Sequence, residues 1–268
     1  MIDMASIRVA INGVTGKMGK EVLSHLCNEP GMEPVGAICR QECPPKIDLP
    51  DGSGRSIPLS NDLTSILINT KPTVLIDFTT AESLMAAAPI AAENKINIVT
   101  GTTGITEQYL EELNTLAIGK GIGIIYSPNF ALGAVLIRYL AQIAAPHFDY
   151  AEIIEYHHEQ KLDSPSGTSL DLARAISDRS TFIHNRPKRE ILPGARGANY
   201  QNIAIHSVRI SGLSGRHEVV FGTAGQTVTL THDTLGRGCY MPGVMAAVRN
   251  AIKLKGLTVG LDKIMGLG

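Results

Sequence analysis

No charge of either sign predominates in this chain: 24 Lys and Arg stand against 25 Asp and Glu, a formal net of −1. A global positive field that would gather nucleic acid or an anionic membrane surface is thereby excluded, and any anion-binding patch must be local. No apolar run reaches the roughly 18 residues needed to cross a bilayer. The opening Met1-Ile2-Asp3-Met4-Ala5-Ser6 also lacks the charged-then-apolar pattern of a secretory signal, so a soluble, cytoplasmic protein is expected. Cysteine is scarce, and Cys27, Cys39, Cys43 and Cys239 show no C-x-x-C spacing. Reduced thiols and no bound metal are therefore expected. Tryptophan is missing altogether, and aromatic residues make up only 4%.

What remains is an ordinary globular composition, 44% hydrophobic and 18% charged over 268 residues, enough for one large domain or two modest ones at roughly 150 residues each. In the first half, β-branched segments alternate with helical patterns. Residues 7–11 read as a buried strand, and residues 17–27 as a helix with Met18, Val22 and Leu26 every four positions. Further strands are expected at 34–39, 74–78, 96–100 and 123–126, with helices at 82–94 and 106–117 between them. This alternation predicts an α/β fold, a Rossmann-like doubly wound parallel sheet with right-handed crossovers. Residues 41–61, rich in Pro, Gly and Asp, read as a surface excursion.

After a helix at about 132–145 the pattern changes. Residues 150–156 read as a strand, 168–176 as a helix and 203–231 as alternating segments in meander-like hairpins. A second, α+β mixed-sheet domain is expected. The tail resumes a helix, with Pro242 at its start, Val244, Val248 and Ile252 on one face, and Gly256 as a stop.

Directly after the first strand comes Gly13-Val14-Thr15-Gly16-Lys17-Met18-Gly19. Glycines let the backbone approach a pyrophosphate whose charge the helix N-terminus stabilises, and strand, turn and helix follow in the order a dinucleotide site needs. A nucleoside-triphosphate loop fits less well, because Met18 follows Lys17 where Ser or Thr is required. At the end of the second strand, Cys39-Arg40-Gln41 offers no carboxylate for ribose hydroxyls. Arg40, with Lys17 across the turn, suits the 2′-phosphate of NADPH, which is favoured over NADH with dual use open. Gly101-Thr102-Thr103-Gly104 and Ser127-Pro128-Asn129-Phe130 also lie at carboxyl ends of strands. Their small hydroxyl residues and amides suit a nicotinamide and its ribose, or serve only as turns and caps.

The segment from Glu155 to Thr168 is the most informative. His157, His158 and Lys161 crowd three potentially cationic groups together, and a four-residue spacing puts His157 and Lys161 on one side whether the backbone is extended or helical. Ser166-Gly167-Thr168 then opens a helix whose amides and hydroxyls form a carboxylate receptor. Together they predict a small substrate with more than one negative charge, positioned for proton transfer. Zinc is disfavoured, since neither H-x-x-x-H nor H-E-x-x-H spacing occurs.

The glycine turn, the Gly101–Gly104 loop, Asn129-Phe130 and above all His157-His158-x-x-Lys161-x-Asp163-x-Pro165-Ser166-Gly167-Thr168 resemble the 4-hydroxy-tetrahydrodipicolinate reductases of lysine biosynthesis, formerly dihydrodipicolinate reductases. The resemblance runs in order over nearly the whole chain. It implies a cofactor domain at 1–130 plus 241–268, a substrate-binding and oligomerisation domain at 131–240, and a homotetramer. It further implies Lys161 as proton donor and His157 as acid/base group, with His158, Gly167 and Thr168 on carboxylate. Gly13 to Met18, Gly101 to Thr103 and Ser127 to Phe130 would hold cofactor, and Arg237 is a weaker candidate near the active cleft. The family often has an acid where Arg40 stands, and small residues where Ser127-Pro128 stands. Competing readings are another NAD(P)-dependent reductase of an imine or carbonyl dicarboxylate, and a non-catalytic NAD(P)H sensor. A sensor, however, has no need of a proton donor. A short-chain dehydrogenase fits poorly, because no Tyr is followed four positions later by Lys.

Overall fold

The apolar run after the N-terminus becomes β1 (Ile7–Asn12), whose last four residues are buried. Next comes α1 (Lys17–Leu26), and its four-residue spacing turns Val22 and Leu26 inward. The chain continues through β2 (Met32–Ile38), β3 (Lys46–Asp48), β4 (Ser56–Ser60), α2 (Leu63–Thr70), β5 (Val74–Asp77), α3 (Ala81–Glu93), β6 (Asn97–Thr100), α4 (Glu107–Lys120) and β7 (Gly123–Tyr126). Asp62, Thr80 and Thr106 each accept a hydrogen bond from an amide three residues on, which starts α2, α3 and α4. Then follow α5 (Leu132–Ala144), β8 (Tyr150–His157), α6 (Gly167–Ser177), β9 (Ala198–Tyr200), β10 (Ile203–Arg209), β11 (Gly215–Thr223), β12 (Gln226–Thr234), α7 (Met241–Ala251), β13 (Gly256–Val259) and α8 (Leu261–Ile264). These elements come from a computed structural model that describes residues 6–267.

The chain divides into two units: one runs to Ala131 and resumes at Tyr240, and the other is Leu132–Cys239. The first holds an eight-stranded sheet in the order β13-β7-β6-β5-β1-β2-β4-β3. Every pairing is parallel except β3 with β4. This is the doubly wound sheet that the alternation predicts. Its central strands β1, β5, β6 and β7 are buried on both faces, and Leu75, Ile98 and Ile124 pack against Leu84 of α3 and Leu113 of α4. The second unit holds a mixed sheet, β12-β11-β8-β10-β9, in which β8 and β10 are parallel. Its core joins Ile153, Ile205, Val219 and Phe221 to Ile137 of α5 and to Leu172 and Ile176 of α6.

Several expectations are corrected. Residues 41–61 are not merely an excursion, because β4 extends the parallel sheet beside β2 and β3 folds back on it. The meander expected at 203–231 is interrupted: β11 and β12 form a hairpin, but β8 inserts between β10 and β11. Gly256 opens β13 rather than ending the tail helix, which stops at Ala251. The cysteines are not all reduced thiols, since Cys39 and Cys43 form a disulfide. The chain reverses after β2 and brings their Cα atoms to 6.9 Å, within bridging reach. No helix among the described residues is long and apolar enough to cross a membrane.

Candidate active site

In the first unit the strand order reverses at β1, which has β2 on one side and β5 on the other. Sheets of this kind take ligands in the crevice at such a point, outside the carboxyl ends of the strands. Gly13 turns the chain there with φ +83°, and a Cβ on it would lie 2.9 Å from Thr79 Cγ2. Gly19 lets α1 press onto the turn, since its Cβ would meet the Gly13 carbonyl oxygen at 2.2 Å. Gly16 is the N-cap of α1 and supplies no capping side chain, and the first turn holds no acidic residue. Thr15, Gly16 and Lys17 are exposed there. Uncapped amides beside a lysine fit a dinucleotide pyrophosphate. The Val14 side chain is buried, so only its backbone can reach a ligand. Arg40 is exposed just beyond β2.

The two flanking loops differ from expectation in what they offer. Thr102 and Ser127 are buried and their hydroxyls are committed to the protein: Thr102 Oγ1 donates to Asp77 Oδ1 at 2.7 Å, and Ser127 Oγ donates to the Asn129 carbonyl at 2.6 Å. Gly101 sits between Phe78 and a buried Phe130, whose rings meet edge to face at 5.9 Å. Phe130 therefore shapes the loop through its side chain and can offer a ligand only backbone. Asn129 Oδ1 accepts from the Ala131 amide at 2.9 Å, while Thr103 and Pro128 are exposed.

Sequence reasoning missed Asp77. It has no exposed surface, and it accepts hydrogen bonds from Asn12 Nδ2 at 2.6 Å, Thr102 Oγ1 at 2.7 Å and Thr79 Oγ1 at 2.9 Å. The end of β1 and the loops after β5 and β6 thus share one acceptor. Burial raises the Asp77 carboxyl above its ordinary value, against the pull of these donors.

In the second unit, strand alternation builds a polar layer at the end of an apolar one. Ala151, Ile153, Glu155 and His157 point to one face of β8. Ser207 and Arg209 on β10, and His217 and Gly215 on β11, stand opposite Glu155 and His157 respectively. Glu155 Oε1 accepts from Arg209 Nη2 at 2.6 Å, and its Oε2 meets His157 Nδ1. The imidazoles of His157 and His217 are edge to face at 5.3 Å. Arg209 Nη2 also donates to the Asp163 carbonyl at 2.8 Å. Lys161 reaches this layer through a turn in which its amide bonds the His158 carbonyl, not through strand or helix periodicity as the spacing argument supposed. Its ammonium pairs with Asp163 Oδ1 at 2.7 Å. His158 is exposed.

Ser166 is the N-cap of α6. It is buried, and its hydroxyl accepts from the Ser169 amide at 3.2 Å and bonds His217 Nε2 at 3.0 Å. Gly167, exposed, and Thr168, half-buried, form the open start of α6. Arg237 is exposed at the head of a 3-10 turn, Arg237–Tyr240.

Burial alone would raise Glu155, but hydrogen bonds from Arg209, Ser207 and His157 hold it below the usual carboxylate range. Burial lowers His157, opposed by Glu155 and reinforced by Lys161 and Arg209. His217 falls from 6.5 to about 4, first through burial and then through the charge of His157. Glu155, His157 and His217 bring potential ligand atoms within 4.8 Å of one another. Arg209 and Lys161 beside them oppose a cation, and Arg209 and Ser166 already engage Glu155 and His217.

The sequence profile of dihydrodipicolinate reductase, N-terminus, matches residues 7–130, and that of dihydrodipicolinate reductase, C-terminus, matches residues 133–265. A 4-hydroxy-tetrahydrodipicolinate reductase of Dehalococcoides mccartyi (strain BAV1) is 48% identical, covering 98% of this chain and 100% of the relative. That of Bacillus subtilis (strain 168) is 42% identical over 97% and 98% of the two chains. A dipicolinate-bound dihydrodipicolinate reductase from Paenisporosarcina sp. TG-14 superposes with a TM-score of 0.87 at 38% identity, covering 97% of this chain and 99% of that one. An amine dehydrogenase from Mycobacterium smegmatis, 16% identical with a TM-score of 0.66 over 96% and 95% of the two chains, shares the fold alone. On profile, identity and near-complete coverage together, the chain belongs to the dihydrodipicolinate reductase family.

Proposed function

We propose that this chain reduces 4-hydroxy-tetrahydrodipicolinate to tetrahydrodipicolinate with NADPH, and less well with NADH, on the diaminopimelate route to lysine. The family's curated members carry this activity in their names, and this chain matches them over nearly its full length. The assignment of roles rests on His157 packing edge to face at 5.3 Å on His217, which bonds the Ser166 cap of α6, with Lys161 close enough for its charge to act on His157. The substrate loses its 4-hydroxyl as water, which leaves a conjugated C=N system, and a reduced nicotinamide dinucleotide would supply the hydride that this system accepts.

The chain's own residues do the rest. Lys161 delivers the proton that quenches the charge developing in the ring, and its pairing with Asp163 at 2.7 Å holds the ammonium in place. His157 orients or relays that proton. Gly167 and Thr168 at the start of α6, with exposed His158, hold carboxylate. Gly13 to Met18 cradle the pyrophosphate, Arg40 and Lys17 take the 2′-phosphate, and backbone of Gly101 to Thr103 and Ser127 to Phe130 lines the nicotinamide end. A homotetramer, as the family resemblance implies, is supported by half-buried Ile154, Tyr156, Val208 and Val220 on the sheet face opposite α5 and α6. Light scattering that found a monomer would remove that part. We also place the enzyme in the cytoplasm. An assay with substrate freshly formed from pyruvate and aspartate semialdehyde should show NADPH absorbance falling. Failure to consume NADPH, with an authentic reductase active in the same mixture, overturns the reading.

A further inference from the structure

The mechanism gives His157 a part but leaves the carboxylate behind it unexplained. Glu155 is wholly buried, and a buried carboxylate is costly unless each oxygen is matched. Here Oε2 meets His157 Nδ1 and Oε1 takes Arg209 Nη2 at 2.6 Å. The same guanidinium reaches the Asp163 carbonyl at 2.8 Å, and Asp163 in turn holds Lys161 at 2.7 Å. One arginine on β10 therefore fixes the carboxylate behind the imidazole and the loop that carries the ammonium.

We propose that Glu155, locked by Arg209, is the positioning residue for His157, holding the hydrogen on Nδ1 so that Nε2 is the atom left to exchange a proton. This rests on the reading of His157 as the acid/base group. An ionised carboxylate only accepts, so the imidazole nitrogen facing it must be the one that carries hydrogen. The lone pair then lies on Nε2. On that side β11 places Gly215 opposite His157, and even a Cβ added to Gly215 would stop 3.5 Å from Nε2. His217, edge-on at 5.3 Å and tied to Ser166, limits tilting of the ring.

Charge makes the same point. The groups facing His157 are Glu155 on its own strand, Arg209 from β10, His217 from β11, and Lys161 with its partner Asp163 from the following loop. Burial and the two nearby cations drive the imidazole toward neutrality, and Glu155 opposes them. Without that carboxylate His157 would bind a proton only at lower pH and would lose its fixed tautomer. Arg209 is the counter-ion that keeps the carboxylate ionised in a dry layer.

The test uses full-length Glu155→Gln and Glu155→Asp, compared with the unaltered protein by steady-state kinetics across pH and by 15N NMR of the histidine side chains. Glu155→Gln should lower kcat by about 10- to 100-fold, part of what a general acid/base contributes, while the KM for NADPH stays put. The His157 titration should move to lower pH. Glu155→Asp keeps the charge, so the titration should stay near that of the unaltered protein even where kcat falls. An unchanged kcat in folded Glu155→Gln, or a lowered kcat with an unmoved titration, overturns the proposal. The tautomer in the unaltered protein is read without turnover: hydrogen on Nδ1 is expected, and hydrogen on Nε2 overturns the proposal even if neither variant folds. A protein inactive on the dicarboxylate yet carrying the Nδ1 tautomer refutes the functional reading instead.

Discussion

Acid should weaken this protein through one imidazole in particular. His217 is 5% exposed and bonded to Ser166, and its folded-state pKa lies near 4 against an ordinary 6.5. Between those values the unfolded chain binds a proton that the folded chain refuses, so folding is penalised as pH falls. The contribution is intact above about pH 6.5 and is lost progressively toward pH 4. At about 1.4 kcal/mol per unit, roughly 2 kcal/mol should be gone by pH 5 and about 3 kcal/mol by pH 4. For a chain of this size, 2 kcal/mol corresponds to a fall in Tm of about 4–8 °C. His157 and His232 are lowered too and add to the acid sensitivity, so the informative quantity is a difference between variants. In His217→Gln the amide can still reach Ser166 but does not titrate. Thermal unfolding at fixed protein concentration from pH 7.5 to 5 should show a smaller loss in the variant, beside a pH-independent offset. Parallel Tm-versus-pH curves for the two proteins would refute the argument.

Lys161→Ala should lower turnover by about 10²- to 10⁴-fold while NADPH binding, measured by fluorescence titration, stays the same; undiminished turnover would remove Lys161 as proton donor. Arg40→Glu should swing the ratio of kcat/KM for NADPH over NADH toward NADH by about 10- to 100-fold, from about 1.5–3 kcal/mol for a hydrogen bond to a charged group. An unmoved ratio would place Arg40 outside the cofactor site. Asp77→Ala deprives Asn12, Thr79 and Thr102 of their common acceptor. It should cost about 2 kcal/mol or more in unfolding free energy and raise the KM for NADPH, and an unchanged urea midpoint would refute that role.

The parts of the fold that announced themselves were those with local signals. The β-α-β period, the glycine turn and the Thr106 cap are readable because the residues involved are neighbours in the chain. The short strands β3 and β4 are not, because their identity comes from pairing with each other and with β2. The insertion of β8 between β10 and β11 leaves no mark in the spacing of either strand. The same holds for the site. His157, Lys161 and the start of α6 fall within one segment, yet what surrounds them is assembled from a distance. Arg209 comes from 54 residues beyond Glu155, His217 from 51 beyond Ser166, and Asp77 meets Asn12 across 65. Ser166 shows the limit most clearly: a serine before a helix signals a cap, but its bond to His217 on a distant strand leaves no trace in the local sequence.

The pairing of β13 with β7 has a consequence for how the chain is made. On the ribosome, Gly123–Tyr126 emerges first, then the whole of Leu132–Cys239, and only afterwards the strand that covers its flank. The inserted unit is continuous and can condense during synthesis, whereas the parallel sheet must wait with a bare flank until β13 has emerged.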